Sequence, residues 1–188
     1  MDALYLIKIG EIRLKEGNRN EFEQRLKHDL KRRLSSIHSE VQHRDGRYYL
    51  TVAEEHAGLA EFVLSRTPGI NGWARAVKAR KDIDAVREAV LEAAAAIVAR
   101  GASTFKVEAR RSDKSFPLGS YEIASGLGAD VLERFPSLRV DVRSPEATVY
   151  VEIREKAYVY TDGYPGVRGL PVGSGGRGLL LLSGGIDS

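Results

Sequence analysis

The 188 residues are 43% apolar and 29% charged, the balance of a folded chain with one or two cores rather than of a disordered or fibrous one. There is no cysteine, which excludes disulfides, thiolate metal sites and any sulfur carrier on this stretch. The net charge of +3 is unevenly spread: residues 1–80 carry 15 lysines and arginines against 11 acids, and residues 81–161 carry 12 against 13.

The excess gathers at Arg13, Lys15, Arg19, Arg25, Lys27, Lys31, Arg32 and Arg33, and again at Arg75, Lys78, Arg80 and Lys81. Charge alone favours solvated faces over binding sites for such groups. No apolar run approaches the roughly 20 residues that span a bilayer. No basic, apolar and cleavable leader opens the chain. The sequence therefore reads as soluble and cytoplasmic, with no membrane partner.

The first predicted element is a buried strand over residues 3–12, followed by a polar Gly-Asn loop. A helix over residues 20–34 places Phe22, Leu26, Leu30 and Leu34 on one face, with Asn20 and Glu23 resembling a capping box and Lys31 to Arg33 at its C-terminal end. Residues 38–44 and 47–53 predict a hairpin about Asp45-Gly46. A helix over 54–66, the Pro68-Gly69 break and a strand over 73–81 complete the order βαββαβ, that of a ferredoxin-like antiparallel sheet with both helices on one face. A second unit opens with a helix from Asp82, its face Ile83, Val86, Val90, Ala94 and Ile97, ending at Gly101. Thr104 to Arg111 alternate, with Phe105, Val107 and Ala109 inward and Lys106, Glu108 and Arg110 outward, and the adjacent Arg110 and Arg111 put one guanidinium on each side of the strand.

After the loop Ser112 to Pro117, a helix over 120–135 buries Ile123, Leu127, Val131 and Leu132. Gly126 and Gly128 within it predict close packing against another backbone. Strands over 138–143, 149–153 and 157–160 follow, with a turn at Glu155-Lys156. Tyr158 and Tyr160 are read as packing residues rather than base-stacking ones, Trp73 as packing between the units, and His28, His38, His43 and His56 show no metal-ligand spacing. Residues 162–178, rich in glycine and without period, read as a linker. The chain closes on Leu179 to Leu182 and Ser183-Gly-Gly-Ile-Asp-Ser188, an apolar run opening into a loop of phosphate-binding composition that lacks the helix such a loop uses. The expectation is a chain cut within a nucleotide site.

Phe105-Lys-Val-Glu-Ala-Arg-Arg-Ser-Asp-Lys-Ser-Phe-Pro117, Val140-Asp-Val142 and Val151-Glu-Ile-Arg154 resemble the THUMP domain, an RNA-binding module. Gly169-Leu-Pro-Val-Gly173 before Leu-Leu-Ser-Gly-Gly-Ile-Asp-Ser188, together with Ile9-Gly-Glu-Ile-Arg-Leu-Lys15 and Asn18-Arg19, resembles the tRNA 4-thiouridine synthetases of the ThiI family. Two departures are visible: Glu16 precedes Gly17 after the Leu-Lys pair, and Arg168 stands where the family commonly has glycine. The fold class implied is α+β: a ferredoxin-like domain over 1–80, an α/β THUMP domain over 81–162, a linker over 163–178, and the first strand of a truncated ATP-pyrophosphatase domain over 179–188.

The resemblance also implies a mechanism. The family adenylates a tRNA uridine and displaces AMP with persulfide sulfur, using ATP and Mg2+. Ser183, Gly184, Gly185, Asp187 and Ser188 map to the pyrophosphate loop, with Asp187 available to the magnesium ion. The implied partners are tRNA at its acceptor stem and 3′ end, and a cysteine desulfurase as sulfur donor; a homodimer and a link to thiamine synthesis stay open. RNA contacts fall on Lys106, Arg110, Arg111 and Lys114, then Arg139, Arg143 and Arg154, with Arg13, Lys15 and Arg19 in the opening segment. No catalytic residue is expected here, and the chain alone is expected to be inactive. The alternatives are a free-standing THUMP adaptor and a metabolite-binding domain of another ATP-pyrophosphatase ligase.

Overall fold

A computed structural model describes residues 2–9, 19–44, 47–176 and 178–179. Strand β1 (Asp2–Lys8), helix α1 (Arg19–Arg33), strands β2 (Ser39–Arg44) and β3 (Arg47–Ala53), helix α2 (Ala57–Leu64) and strand β4 (Gly72–Ala79) follow in the βαββαβ order. They form the run β2-β3-β1-β4, antiparallel at every step. Leu26, Leu30 and Leu34 of α1 and Ala60, Val63 and Leu64 of α2 are buried in one cluster with Tyr5, Ile7, Leu50 and Trp73, so both helices cover the same face. Their fourfold spacing is what puts three leucines of α1 against the sheet.

The second unit contains α3 (Ile83–Ala99), β5 (Thr104–Arg111), α4 (Ser120–Arg134), β6 (Arg139–Val140), β7 (Ala147–Ile153) and β8 (Ala157–Tyr160). Asp82 caps α3 by accepting the N–H of Ala85 at 2.8 Å. The crossover through α4 makes β5 and β7 parallel, and the turn at residues 154–156 makes β7 and β8 antiparallel. The expected inner faces of α3 and β5 meet in a second cluster around Phe105, Val90, Leu127 and Val151.

The two units share one sheet. Strand β4 pairs antiparallel with β8, Ala76 opposite Tyr160 and Ala79 opposite Ala157, giving the order β2-β3-β1-β4-β8-β7-β5-β6. All four helices lie on one face. The other face curls on itself, bringing β3 to β7 and β8: Tyr49 and Tyr158 rings are 5.2 Å apart, and Lys8 of β1 lies 5.5 Å from the Tyr150 ring. Leu6, Tyr49, Ala74, Ala76, Tyr158 and Tyr160 are buried there. The tyrosines are packing residues, as their strand positions predict.

Several local expectations change. Helix α1 begins at Arg19, so Asn20 lies inside it and the proposed capping box is displaced; buried Glu23 lies 3.5 Å from His43 instead. The helix expected from Glu54 opens with one 3-10 turn, Glu54–His56, before α2. The strand expected over 138–143 shortens to β6, because the Asp141 carboxylate accepts the N–H groups of Arg143 and Ser144 at 2.8 and 3.0 Å and turns the chain. Leu132 is 38% exposed rather than buried. The Asp45-Gly46 turn lies outside the described residues.

Gly126 and Gly128 do not meet another backbone: a Cβ at either would have nothing within 4 Å. Gly126 is exposed in the middle of α4. Replacing it with alanine should raise stability by about 0.5–1 kcal/mol, measured by urea denaturation, because only the unfolded chain's freedom is lost.

Candidate nucleic-acid interface

The basic residues singled out by the sequence divide among three places. Lys106 and Arg110 stand on the helix-free face of β5 on either side of Glu108, at 3.6 and 3.1 Å from its carboxylate. The bond to Glu108 raises the Arg110 guanidinium above its usual pKa. Arg111 points the other way, donating through Nη1 to the carbonyl of Phe116 at 2.8 Å, while its N–H donates to Ser120 Oγ at 3.2 Å. It therefore shapes the 112–118 loop and seats it against the start of α4. Lys114 is exposed on that loop.

Arg154 is drawn inward. Its Nε donates to Glu152 Oε2 at 3.0 Å; Tyr160 donates to Oε1 at 2.7 Å, and Arg47 of β3 reaches the same oxygen. Glu152 is 2% exposed. Burial pushes its pKa up, but the Tyr160 hydroxyl, Arg47 and Arg154 outweigh this and hold it below the usual range. Burial, then the bond to Glu152, pushes the Tyr160 hydroxyl well above its ordinary value, and burial pushes Tyr49 up to about 12. The cluster binds the first unit to the second.

Arg139 and Arg143 are exposed at the opposite end. Arg139 pairs with Thr104 at the start of β5, whereas Arg111 ends it, so about 23 Å of extended strand separates them. Arg13 and Lys15 lie outside the described residues, as do Ser183, Gly184, Gly185, Asp187 and Ser188. Arg19 opens α1, with its side chain outside the description.

The pairing register assembles a group that linear sequence separates. In one row across the helix-free face stand Lys78 of β4, Tyr158, Glu152 and Arg110. Just past it come Arg80, after the last paired residue of β4, and Lys156, before the first of β8. The 112–118 loop joins them, since Ser112 N–H donates to the Ile153 carbonyl at 2.9 Å. Lys81 holds Asp113 at 2.5 Å, and this bond, with those from Ser115, depresses the Asp113 pKa strongly. Arg80 sits 3.4 Å from Asp82, while Lys78, Lys114 and Lys156 are exposed and make no ion pair among the described residues.

Tyr121, 84% exposed in the first turn of α4, follows the Ser120 that Arg111 contacts. Exposed cations and an exposed ring at the same end of β5 suit phosphates and an unstacked base. Sequence reasoning did not select Lys78, Arg80, Lys156 and Tyr121. The 75–81 charge run was the visible signal for two of them, and only the β4–β8 pairing connects it to this end. Arg75 of that run is held by Glu54 at 2.5 Å.

Among the described residues no helix is long and apolar enough to cross a membrane. The ThiI ferredoxin-like domain matches residues 4–74 and the THUMP domain residues 80–162. A Treponema pallidum (strain Nichols) protein named "Probable tRNA sulfurtransferase" is 44% identical over 187 residues, covering 98% of this chain and 46% of that protein. The crystal structure of a 4-thiouridine synthetase–RNA complex with bound ATP superposes with a TM-score of 0.84 at 36% identity, over 100% of this chain and 48% of that one. The Pyrococcus horikoshii Ot3 protein PH1313 gives 0.79 at 28% identity, over 91% and 57%. The chain thus spans about half the length of the curated relatives it matches. It is built of a ThiI ferredoxin-like domain followed by a THUMP domain, the two domains over which it is similar to proteins named tRNA sulfurtransferases.

Proposed function

We propose that this chain is the tRNA-binding part of an ATP-dependent tRNA sulfurtransferase that forms 4-thiouridine, with residues 1–80 and 81–162 as its two RNA-binding domains. The observation that carries this reading is the likeness, along the whole of this chain and 48% of the other, to a 4-thiouridine synthetase solved with RNA and ATP. The basic end at Lys78, Arg80, Arg110, Lys114 and Lys156, with Tyr121 beside it, suits the acceptor stem and 3′ end of tRNA. Phosphates of the stem meet the lysines, and an unstacked base of the tail meets the ring. Arg111 acts through the loop it shapes, and Arg154 through the junction.

Ser183, Gly184, Gly185 and Ser188 have the hydroxyl and N–H donors that ATP phosphates require, and Asp187 the carboxylate that suits Mg2+. ATP supplies the adenylate that makes the uridine oxygen a leaving group. Sulfur reaches the full-length enzyme from a cysteine desulfurase in the cytoplasm. With no cysteine in the sequence, this chain alone neither carries sulfur nor thiolates tRNA.

Fluorescence anisotropy with a tRNA acceptor minihelix, with and without its single-stranded 3′ tail, tests the reading. Affinity should fall with salt and depend on the tail. Equal affinity for both RNAs would reduce the interaction to charge attraction, and no binding at low salt would favour a metabolite-binding domain.

A further inference from the structure

Past the THUMP match the chain turns back along the first unit. Residues Tyr164–Pro165 form a short strand, β9, on Gly72 and Trp73 of β4. Gly166 N–H donates to the Asn71 carbonyl at 3.0 Å, Arg168 N–H to Ile70 at 2.8 Å, and Gly69 N–H to Arg168 at 2.9 Å. The Tyr164 ring stacks on Trp73 at 4.6 Å. A Cβ at Gly163 would lie 2.5 Å from the Trp73 carbonyl oxygen, and one at Gly166 would overlap that of Ile70, so only glycine allows this approach. At the far end Arg25 of α1 donates through Nη1 to the Gly173 carbonyl at 2.7 Å.

We infer that residues 163–173 are a reversible latch, closed on the ferredoxin-like domain and able to open while both domains stay folded. Most of its side chains bury little: Tyr164, Val167 and Val172 are each more than half exposed, while Pro171 alone is buried, against Gly69. Closure rests on a few backbone bonds, one ring stack and the one buried proline. Few buried apolar contacts and a short ladder put the segment at the low-stability end of the molecule, against strands β1 and β4 whose core is fully buried. The closed latch fixes Gly173 beside α1. It thereby sets where the following chain is delivered relative to the basic end, with Gly163, Gly166 and Arg25 as positioning residues.

The inference does not depend on what the basic end binds, and its test uses no RNA. Trp73 is the single tryptophan, so its emission reports the stack on Tyr164. Native-state hydrogen exchange should release the Gly166 and Arg168 amides at least about 100-fold faster than those of Leu6 and Val149. Arg25→Met, on the surface of α1, should accelerate the strap amides further and shift Trp73 emission to the red, leaving Leu6 and Val149 unchanged. Gly166→Ala should do the same more strongly. Strap amides that exchange at the rate of Leu6, or variants in which Leu6 and Val149 lose protection in step with the strap, would overturn the latch.

Discussion

Glu152→Ala should lower the stability of the chain by about 3–5 kcal/mol, because it removes the buried carboxylate that accepts from Arg47, Arg154 and the Tyr160 hydroxyl and so holds the two domains together. For a chain of this size the midpoint of thermal unfolding, followed by circular dichroism, should fall by about 6–20 °C. The pH dependence has a definite sign. A carboxylate held below its ordinary pKa contributes its full stability above the unfolded value of about 4.3 and loses it as pH falls through the folded value. The difference between the native chain and the variant should therefore be constant near neutrality and shrink below about pH 4. A loss under 1 kcal/mol at pH 7 would mean that the cluster is not what joins the two domains.

Replacing Lys78, Lys114 and Lys156 together with alanine should weaken binding of the acceptor minihelix by about 100-fold at low salt and reduce the slope of log affinity against log salt by about 3. The three side chains are exposed and unpaired among the described residues, so stability should stay within about 0.5 kcal/mol of the native chain. Arg139 and Arg143, replaced together at the opposite end of β5, should change affinity little. The reverse ranking would move the RNA to that end. Anisotropy titrations over a salt series, alongside thermal melts, separate a lost phosphate contact from a lost fold.

What was legible in the sequence was local. The faces of α1 and α3 and the alternation of β5 follow from spacings of two to four residues, and the structure keeps them. The βαββαβ order followed from the same periods. Pairing between β4 and β8 joins residues about eighty positions apart, and no period announces it. Without it the Lys78–Lys81 run and the Arg110–Lys114 motif stay separate groups. Charge also could not tell Arg154 and Arg111, which bond to the protein's own oxygens, from Lys114, which makes no such bond among the described residues. Arg168, read in the sequence as a departure, has φ of 68°, the left-handed region that favours glycine. Glycine in residues 162–178 suggested looseness, whereas Gly163 and Gly166 are there for close approach.

The shared sheet also sets a schedule for synthesis. When the ribosome has delivered β4, every strand of the first domain is present, yet one edge of β4 still lacks the partner that β8 will supply at residues 157–160. At about 5–20 residues per second the intervening chain takes roughly 4–16 s to emerge. Through that interval the nascent first domain carries an open row of N–H and C=O groups, the template on which strands of neighbouring chains join. Lys78 and Arg75 on β4 are charged side chains of the kind that discourage such pairing. Slow or paused translation between residues 80 and 157 should therefore raise aggregation, even though the finished protein has that edge covered.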